Sequence, residues 1–404
     1  MSSEPISVIE VGTSHVVYLI GRPDKDGRIS VIASGINDIT GVRKGLITNF
    51  RNALTGVNTA VRKASRETDP NVNNWLVFSG GNASSNLVVH SVLVDGGTVT
   101  REAVDSALGG ATGQSSQLGD RVPLHAIPQD YTIRQGNRER RVADAEQMRV
   151  DSLQANVLLV HCDRAALTDT HNLVEAAHLP IRGHIFSAVC AGRVVLTQDQ
   201  RVDGTLLINL GGGTTSFALY SGGVVRIAAS IPVGGDHVTY DLSRAFSIPT
   251  KAAELLKQNN ASAVVGDARP DATVNVPSTG ILDHERILNL AAVNTVVNAR
   301  IDELFRIVFE YVGTSGYIQV VLVGGGAFLK GITSVAATVF GCPCTIGTIQ
   351  DGTQFGESGE LGPLYATAYG ALHIAHDELE EDERKKKAKS GGLGGWLWGR
   401  GASK

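Results

Sequence analysis

The chain has 404 residues, 42% hydrophobic and 19% charged, with a formal net charge of −4, values that suit a globular protein of two or more domains. That balance gives no reason to expect a nucleic-acid partner. Cys162, Cys190, Cys342 and Cys344 are too few and scattered for a disulfide framework, and Cys342-Pro-Cys344 reads as two half-buried residues beside a strand, not a metal or redox site.

The start, MSSEPISVIEVG, enters a strand without the basic, apolar and cleavage regions of a secretory signal. No stretch approaches the ~20 apolar residues of a spanning helix, so a cytoplasmic body is expected. Residues 6–20, ISVIEVGTSHVVYLI, read as strand, Gly-Thr turn, strand. A helix over 52–66 places Leu54, Val57, Val61 and Ala64 on one stripe, and residues 75–78 form the next buried strand. Gly80-Gly81-Asn82 then marks a boundary.

From residue 84 the texture changes. An alternating strand LVVHSVLVD leads to a short helix over 100–108 with Thr100 as N-cap, then to a polar loop over 109–119. PLHAIPQDYTI, RVADAEQMRV and ANVLLVHCD follow, so a small α+β insertion should end near Asp163. Helices are expected over 166–177 and within 184–196, the latter running into a polar turn, TQDQ.

Residues 206–224, LLINLGGGTTSFALYSGGV, hold the strongest signal: apolar strand, triple-glycine turn with two threonines, apolar strand, second glycine turn. Glycine removes the Cβ that would block approach and tolerates φ > 0, so backbone N–H groups can close around phosphate oxygens. The 6–20 hairpin is a reduced version about 200 residues earlier, which points to a duplicated domain folded around one nucleotide. Residues 250–259 and 283–312 read as helices, and IQVVLVGGG (318–326) as a buried strand running into a third glycine turn. Residues 361–376 are again helical. Beyond Asp377 the run DELEEDERKKKAKS sets Glu380, Glu381, Asp382 and Glu383 four residues before Arg384, Lys385, Lys386 and Lys387, the favourable order for a solvated helix ended by Gly391-Gly392.

The candidate nucleotide site comprises Gly12, Thr13 and Ser14 of the first turn, Asn209 with Gly211, Gly212, Gly213, Thr214 and Thr215 of the second, and Gly324, Gly325, Gly326 and Ala327 of the third. The first two would wrap the β- and γ-phosphates and the third would press a strand-end backbone against adenine. Glu254 and Lys257, three apart on one helix face, read either as a surface salt bridge or as acceptor and donor for the ribose diol. Gly234-Gly235-Asp236 reads either as a turn capped by Asp236 or as helix-start amides bordering the phosphates. In the tail, Leu393, Trp396, Leu397 and Trp398 follow a basic run, a pattern for an interfacial anchor on an anionic membrane or for a partner-docking peptide.

These pieces, in this order, resemble the bacterial cell-division FtsA family of the actin-like ATPase superfamily, over nearly the whole chain. IEVGTSHV resembles the family's first phosphate motif, NLGGGTTSFALY its second, and VVLVGGGAFLKGI its adenosine motif. GVRKGLITNF resembles its Gly-x-Ile-x-Asp turn, and ATAYGALHIA its closing helix. The IPQxY strand in PLHAIPQDYTI and the run from IPVGGDHVTYDL to AAELLK are the specific matches.

The resemblance implies an α/β, actin-like two-lobed duplicated fold with a small α+β insertion, the IC-type subdomain. It divides the chain into IA (1–83, 164–203 and a closing helix over 361–376), IC (84–163), IIA (204–235 and 316–360) and IIB (236–315), then a charged linker (377–391) and a membrane-targeting tail (392–404). It also implies ATP and Mg2+ as cofactors, self-association into filaments, other divisome proteins and the FtsZ C-terminal peptide as partners, and a peripheral place on the inner face of the membrane at the division site. The chain departs from the family at the aspartate positions now held by Glu10, Asn209 and Ser216. Glu10 and Asn209 would reach Mg2+ through water, but an amide is a poorer ligand than carboxylate and cannot act as base. Nucleotide binding with slow or absent hydrolysis is therefore expected. The alternatives are a PilM-like pilus platform protein, a sugar- or acetate-kinase-type phosphotransferase on the same fold, and a scaffold without nucleotide.

Overall fold

The structure, a computed structural model, describes residues 4–25, 27–66, 72–94, 97–278, 286–355 and 362–390. The first lobe begins with β1 (Ile6–Val11), β2 (His15–Pro23) and β3 (Ile29–Asp38), followed by a small hairpin, β4 (Val42–Arg43) and β5 (Leu46–Ile47), then α1 (Phe50–Ala64) and β6 (Asn73–Phe78). The insertion comprises β7 (Ser84–Leu93), α2 (Arg101–Gly113), β8 (Arg121–Gln135), β9 (Arg138–Val142) and β10 (Ser152–Asp163). The lobe resumes with α3 (Arg164–Glu175), β11 (Ile181–Phe186), α4 (Ser187–Val195) and α5 (Gln198–Asp203).

The second lobe opens with β12 (Thr205–Leu210), β13 (Thr215–Ser221) and β14 (Val224–Ile231), then α6 (Gly235–Ala245) and α7 (Thr250–Asn259). A short ribbon, β15 (Thr273–Asn275) and β16 (Ile287–Asn289), leads to α8 (Leu290–Val312), β17 (Gln319–Val323), α9 (Ile332–Phe340) and β18 (Cys344–Ile346). Helix α10 (Gly362–Ser390) closes the described chain.

The two central sheets repeat one pattern. Their orders, β3-β2-β1-β6-β11 and β14-β13-β12-β17-β18, each consist of a three-stranded antiparallel meander extended by two parallel strands. Superposing the patterns sets Glu10 on Asn209, each next to last in the first strand of its meander. The duplication expected from the two glycine hairpins is thus present strand for strand, and both hairpins open at the carboxyl ends of their leading strands. This is where ligands bind in open α/β sheets.

Helices α4 and α10 pack between the sheets, α10 against β1 and β2 and α4 against β12 and β13. Their approach is close: a Cβ on Gly370 of α10 would stand 2.0 Å from the Cys190 carbonyl oxygen of α4, and one on Gly192 would stand 2.1 Å from the Tyr220 hydroxyl. Backbone cannot retreat as a flexible side chain can, so Gly370→Ala should lower stability by about 2–3 kcal/mol through overpacking, a loss measurable by urea unfolding. A second core holds α6 to α9 on the other face of the second sheet. The insertion has its own core, Val104, Ala107, Leu108 and Ala111 of α2 packing on Leu153, Ala155, Val157 and Leu159 of β10.

Several boundaries differ from the sequence expectation. Helix α2 starts after its Thr100 cap but continues through residues 109–113, because Ala111 is another core position and Gly110 lets the helix approach His90, whose ring would stand 2.2 Å from a Cβ there. The helix expected within 184–196 is α4 (Ser187–Val195), but residues 181–186 before it form parallel strand β11, which was not expected, and TQDQ opens α5 with Thr197 in a capping box. Helix α8 starts at Leu290, not 283, since Asn289 Oδ1 accepts the Ala292 amide at 2.9 Å and fixes the cap. Helix α10 runs unbroken through the expected linker as far as residue 390. Its charged turns are docked as well as solvated. Glu380 pairs with Arg384 at 3.0 Å as the spacing suggested, but Asp377 meets Arg193 at 3.1 Å, Glu378 accepts the Trp75 indole N–H at 2.8 Å, and Asp382 meets Arg182 at 2.9 Å. No described helix is long and apolar enough to cross a membrane, and the tail residues Leu393, Trp396, Leu397 and Trp398 lie outside the described residues.

Candidate functional site

A cavity of about 410 Å3 lies where the carboxyl ends of the two sheets face each other. Gly12, Thr13 and Ser14 line it from the β1–β2 turn, Asn209, Gly211, Gly212 and Thr214 from the β12–β13 turn, and Gly324, Gly325 and Gly326 from the turn after β17. Glu10, Gly235, Glu254 and Lys257 complete the set expected from the sequence. Gly213, Thr215, Gly234 and Ala327 stand behind this surface and support it.

The glycines are needed for contact between the turns. A Cβ on Gly212 would stand 1.9 Å from Ser14 Oγ, and one on Gly213 would stand 2.5 Å from Thr13 Oγ1. The two hairpins therefore meet apex to apex across the lobes. Thr214 Oγ1 also donates to the Ser79 carbonyl at 3.0 Å, while Thr215 Oγ1 donates to Val233 within the second lobe at 2.8 Å.

At the start of α6 the expected N-cap, Asp236, is corrected to Gly234. The Gly235 amide donates to the Gly211 carbonyl at 3.0 Å and the Asp236 amide to that of Gly212 at 2.7 Å. A Cβ on Gly234 would stand 2.5 Å from both carbonyl oxygens, so a side chain is excluded there. These helix-start amides hold the triple-glycine turn in shape and are not free for an anion. Asp236 instead faces the cavity, where Ser14 Oγ donates to it at 3.5 Å and burial raises its pKa.

The three positions Glu10, Asn209 and Ser216, where the resemblance implies aspartates, have separate partners. Glu10 accepts from Ser79 Oγ at 2.8 Å, and burial raises its pKa to about 7 against the lowering effect of that bond. Asn209 Nδ2 donates to Thr367 Oγ1 of α10 at 3.0 Å, and its Oδ1 lies beside Gly324. Ser216 accepts from Ser187 Oγ, at the start of α4, at 3.0 Å. Among the described residues no three carboxylate, histidine or cysteine groups converge on a metal-sized site.

Glu254 and Lys257 form more than a surface pair. Lys257 Nζ lies 2.7 Å from Glu254 Oε2, and it donates to Thr239 Oγ1 at 2.9 Å and to the Gly235 carbonyl at 3.2 Å. Burial pushes the Glu254 carboxyl up, but the Lys257 charge and hydrogen bonds from Lys257, Thr239 and Gln258 outweigh it and hold the pKa below its ordinary value. The cluster thus ties α7 to α6 at the rim. Sequence reasoning missed the apolar wall opposite, formed by Ile301 and Leu304 of α8 with Phe328, Leu329 and Ile332 after the third glycine turn. Ile301 and Leu304 were legible only as part of a core stripe. Exposed Phe328, directly after Ala327, was the available signal.

Residues 206–370 match the family described as "Cell division protein FtsA". The cell division protein FtsA of Pseudomonas aeruginosa is 29% identical over 380 residues, covering 92% of this chain and 89% of that protein. That of Escherichia coli K12 is 28% identical over 411 residues, covering 96% and 94%. The chain is thus similar to FtsA proteins over nearly its whole length. Among solved structures, the PilM–PilN type IV pilus biogenesis complex aligns with TM-score 0.59 at 14% identity, covering 91% of this chain and 97% of that one. MreB5 of Spiroplasma citri bound to AMPPNP aligns with TM-score 0.53 at 16% identity, covering 97% and 100%. The chain therefore has the actin-like two-lobed fold with an α+β insertion.

Proposed function

We propose that this actin-like cell-division protein binds ATP in the inter-lobe cavity, assembles into filaments, and tethers the FtsZ ring to the inner face of the cytoplasmic membrane. The observation that carries the nucleotide part is the convergence of three glycine turns and the Glu254–Lys257 cluster on one cavity between duplicated sheets. The hairpins would hold the phosphates, Glu254 and Lys257 the ribose, and the wall from Ile301 to Ile332 the base. The solved MreB5 of Spiroplasma citri, of the same fold, carries AMPPNP. PilM shares the fold at an identity too low to carry function, so the pilus reading stands second. A kinase-type phosphotransferase would need a carboxylate where Asn209 stands.

Glu10 fits Mg2+, which is commonly held by one or two carboxylates together with substrate phosphates and water. Asn209 fits poorly, because its amide is engaged with Thr367 and packed beside Gly324. With Ser216 also engaged, the second hairpin offers no base for an attacking water. The expected result is saturable Mg·ATP binding by isothermal titration with turnover far below the roughly 1 s−1 lower end of typical enzyme rates. Turnover at typical rates that Asn209→Ala abolishes would overturn the low-hydrolysis reading.

Attachment is assigned to the tail and to avidity: one aromatic tail binds a membrane marginally, whereas a filament presents many. Truncation after Lys389 should abolish recruitment to anionic liposomes while leaving ATP binding intact. Equal liposome binding per chain by monomer and polymer would contradict the avidity mechanism.

A further inference from the structure

The charge of the cavity is unfavourable for a polyphosphate. Its lining carries three carboxyl groups, Glu10, Asp236 and Glu254, against one lysine, Lys257, which is already committed to Glu254. A nucleoside triphosphate brings further negative charge, and like charges brought together in a site shielded from bulk water repel more strongly than in water. Mg2+ would offset part of this. A second cation near the phosphate end is needed.

The β4–β5 turn carries one, Lys44, whose backbone abuts the second hairpin. Lys44 has φ +53°, a left-handed conformation uncommon for a residue with a side chain. Three elements hold it. The Gly45 amide donates to Thr13 Oγ1 at 3.1 Å; Gly45 packs on the backbone of Ser79 and Gly80; and the Lys44 nitrogen would stand 2.9 Å from a Cβ on Gly213. The Lys44 backbone is therefore at the meeting point of both phosphate-type hairpins and the turn that carries the Glu10 partner Ser79. Its side chain is exposed and makes no hydrogen bond or ion pair with the described residues. Yet its charge reaches the start of α6: His237 titrates low, first from burial and then, against the Gly234 backbone hydrogen bond, from Lys44. Backbone strain that the surrounding structure over-determines is characteristic of functional positions.

We propose, resting on the nucleotide reading of the cavity, that Lys44 closes over the terminal phosphate and sets the preference for a nucleoside triphosphate over the diphosphate. The turn holds the Lys44 backbone, on the first lobe, against Gly213 of the second-lobe hairpin, so on this proposal the side chain makes its contact only when a third phosphate spans the two. Lys44 is a ligand-contacting residue in this role, and no bond is made or broken by it.

The test is titration of the full-length protein with Mg·ATP and with Mg·ADP, comparing wild type, Lys44→Gly and Lys44→Arg. Glycine suits the positive φ, so Lys44→Gly removes the charge without adding strain. The expected result is about a tenfold or greater loss of ATP affinity in Lys44→Gly, as for a lost charge-assisted hydrogen bond, with ADP affinity changed less than about threefold and Lys44→Arg near wild type. Equal loss for both nucleotides, or no loss for either, would overturn the role of Lys44 while leaving the nucleotide site standing. A folded wild-type protein that binds neither nucleotide would overturn both.

Discussion

Gly324→Ala should destabilise the protein by about 2–4 kcal/mol and abolish nucleotide binding. Two penalties coincide at this position. Gly324 has φ +84°, where an L side chain is strained, and its Cβ would stand 2.3 Å from Asn209 Oδ1 and 2.6 Å from the Leu210 carbonyl oxygen. Asn209 cannot retreat without giving up Thr367, and Leu210 is backbone in the central strand of the second sheet. The third glycine turn would be pushed off the second hairpin, and the cavity wall with it. The neighbouring glycine is the control: a Cβ on Gly325 meets only Leu364, at 3.8 Å, and the backbone is not left-handed. Gly325→Ala should therefore unfold in urea within about 0.5 kcal/mol of wild type, yet bind nucleotide more weakly, because its methyl enters the space assigned to the base. Equal stability of the two variants would remove this account of the turn.

The contrast shows what the sequence can and cannot reveal. Runs of glycine after apolar strands exposed the second and third turns, because a need for close approach explains three consecutive glycines at a strand end, and the first turn, with Gly12 alone, was legible by its likeness to the second. The same pattern could not say which glycine meets backbone and which meets open space. The duplication was legible from the hairpins, but strand β11 was not, since IRGHIF has no alternation and sits directly before α4. It is recognisable only by its parallel pairing with β6. Likewise, Asp382 at helical spacing from Lys386 gave no sign that Arg182, two hundred residues earlier, would pair with it. Local spacing fixes local pairs; contacts across the chain need the fold. The same limit hid Ile301 and Leu304, whose apolar stripe on α8 looks alike whether it faces a core or a ligand.

Glu10→Gln should stabilise the ligand-free protein at pH 8 by about 3 kcal/mol while weakening Mg·ATP binding. Burial raises the folded-state pKa of Glu10 to about 7 from an ordinary 4.5. Below pH 4.5 the group is protonated both folded and unfolded and contributes no difference. Between 4.5 and 7 the unfolded chain loses the proton while the folded chain keeps it, so stability falls as pH rises. Above 7 the buried carboxylate carries its full penalty. Glutamine retains an acceptor for Ser79 Oγ and cannot ionise, so the advantage of the variant should grow from zero near pH 4.5 and level off above pH 7. Urea unfolding at pH 5, 6, 7 and 8 reads this directly, and a difference that does not vary with pH would refute it. With ligand the sign reverses: Mg2+ favours the carboxylate, so wild-type Glu10 should release its proton on binding Mg·ATP at pH 6–7. Titrations in buffers of different ionisation enthalpy should detect that proton in the wild type and not in Glu10→Gln. A carboxylate that destabilises the empty protein is thereby explained by what it does when the cavity is filled.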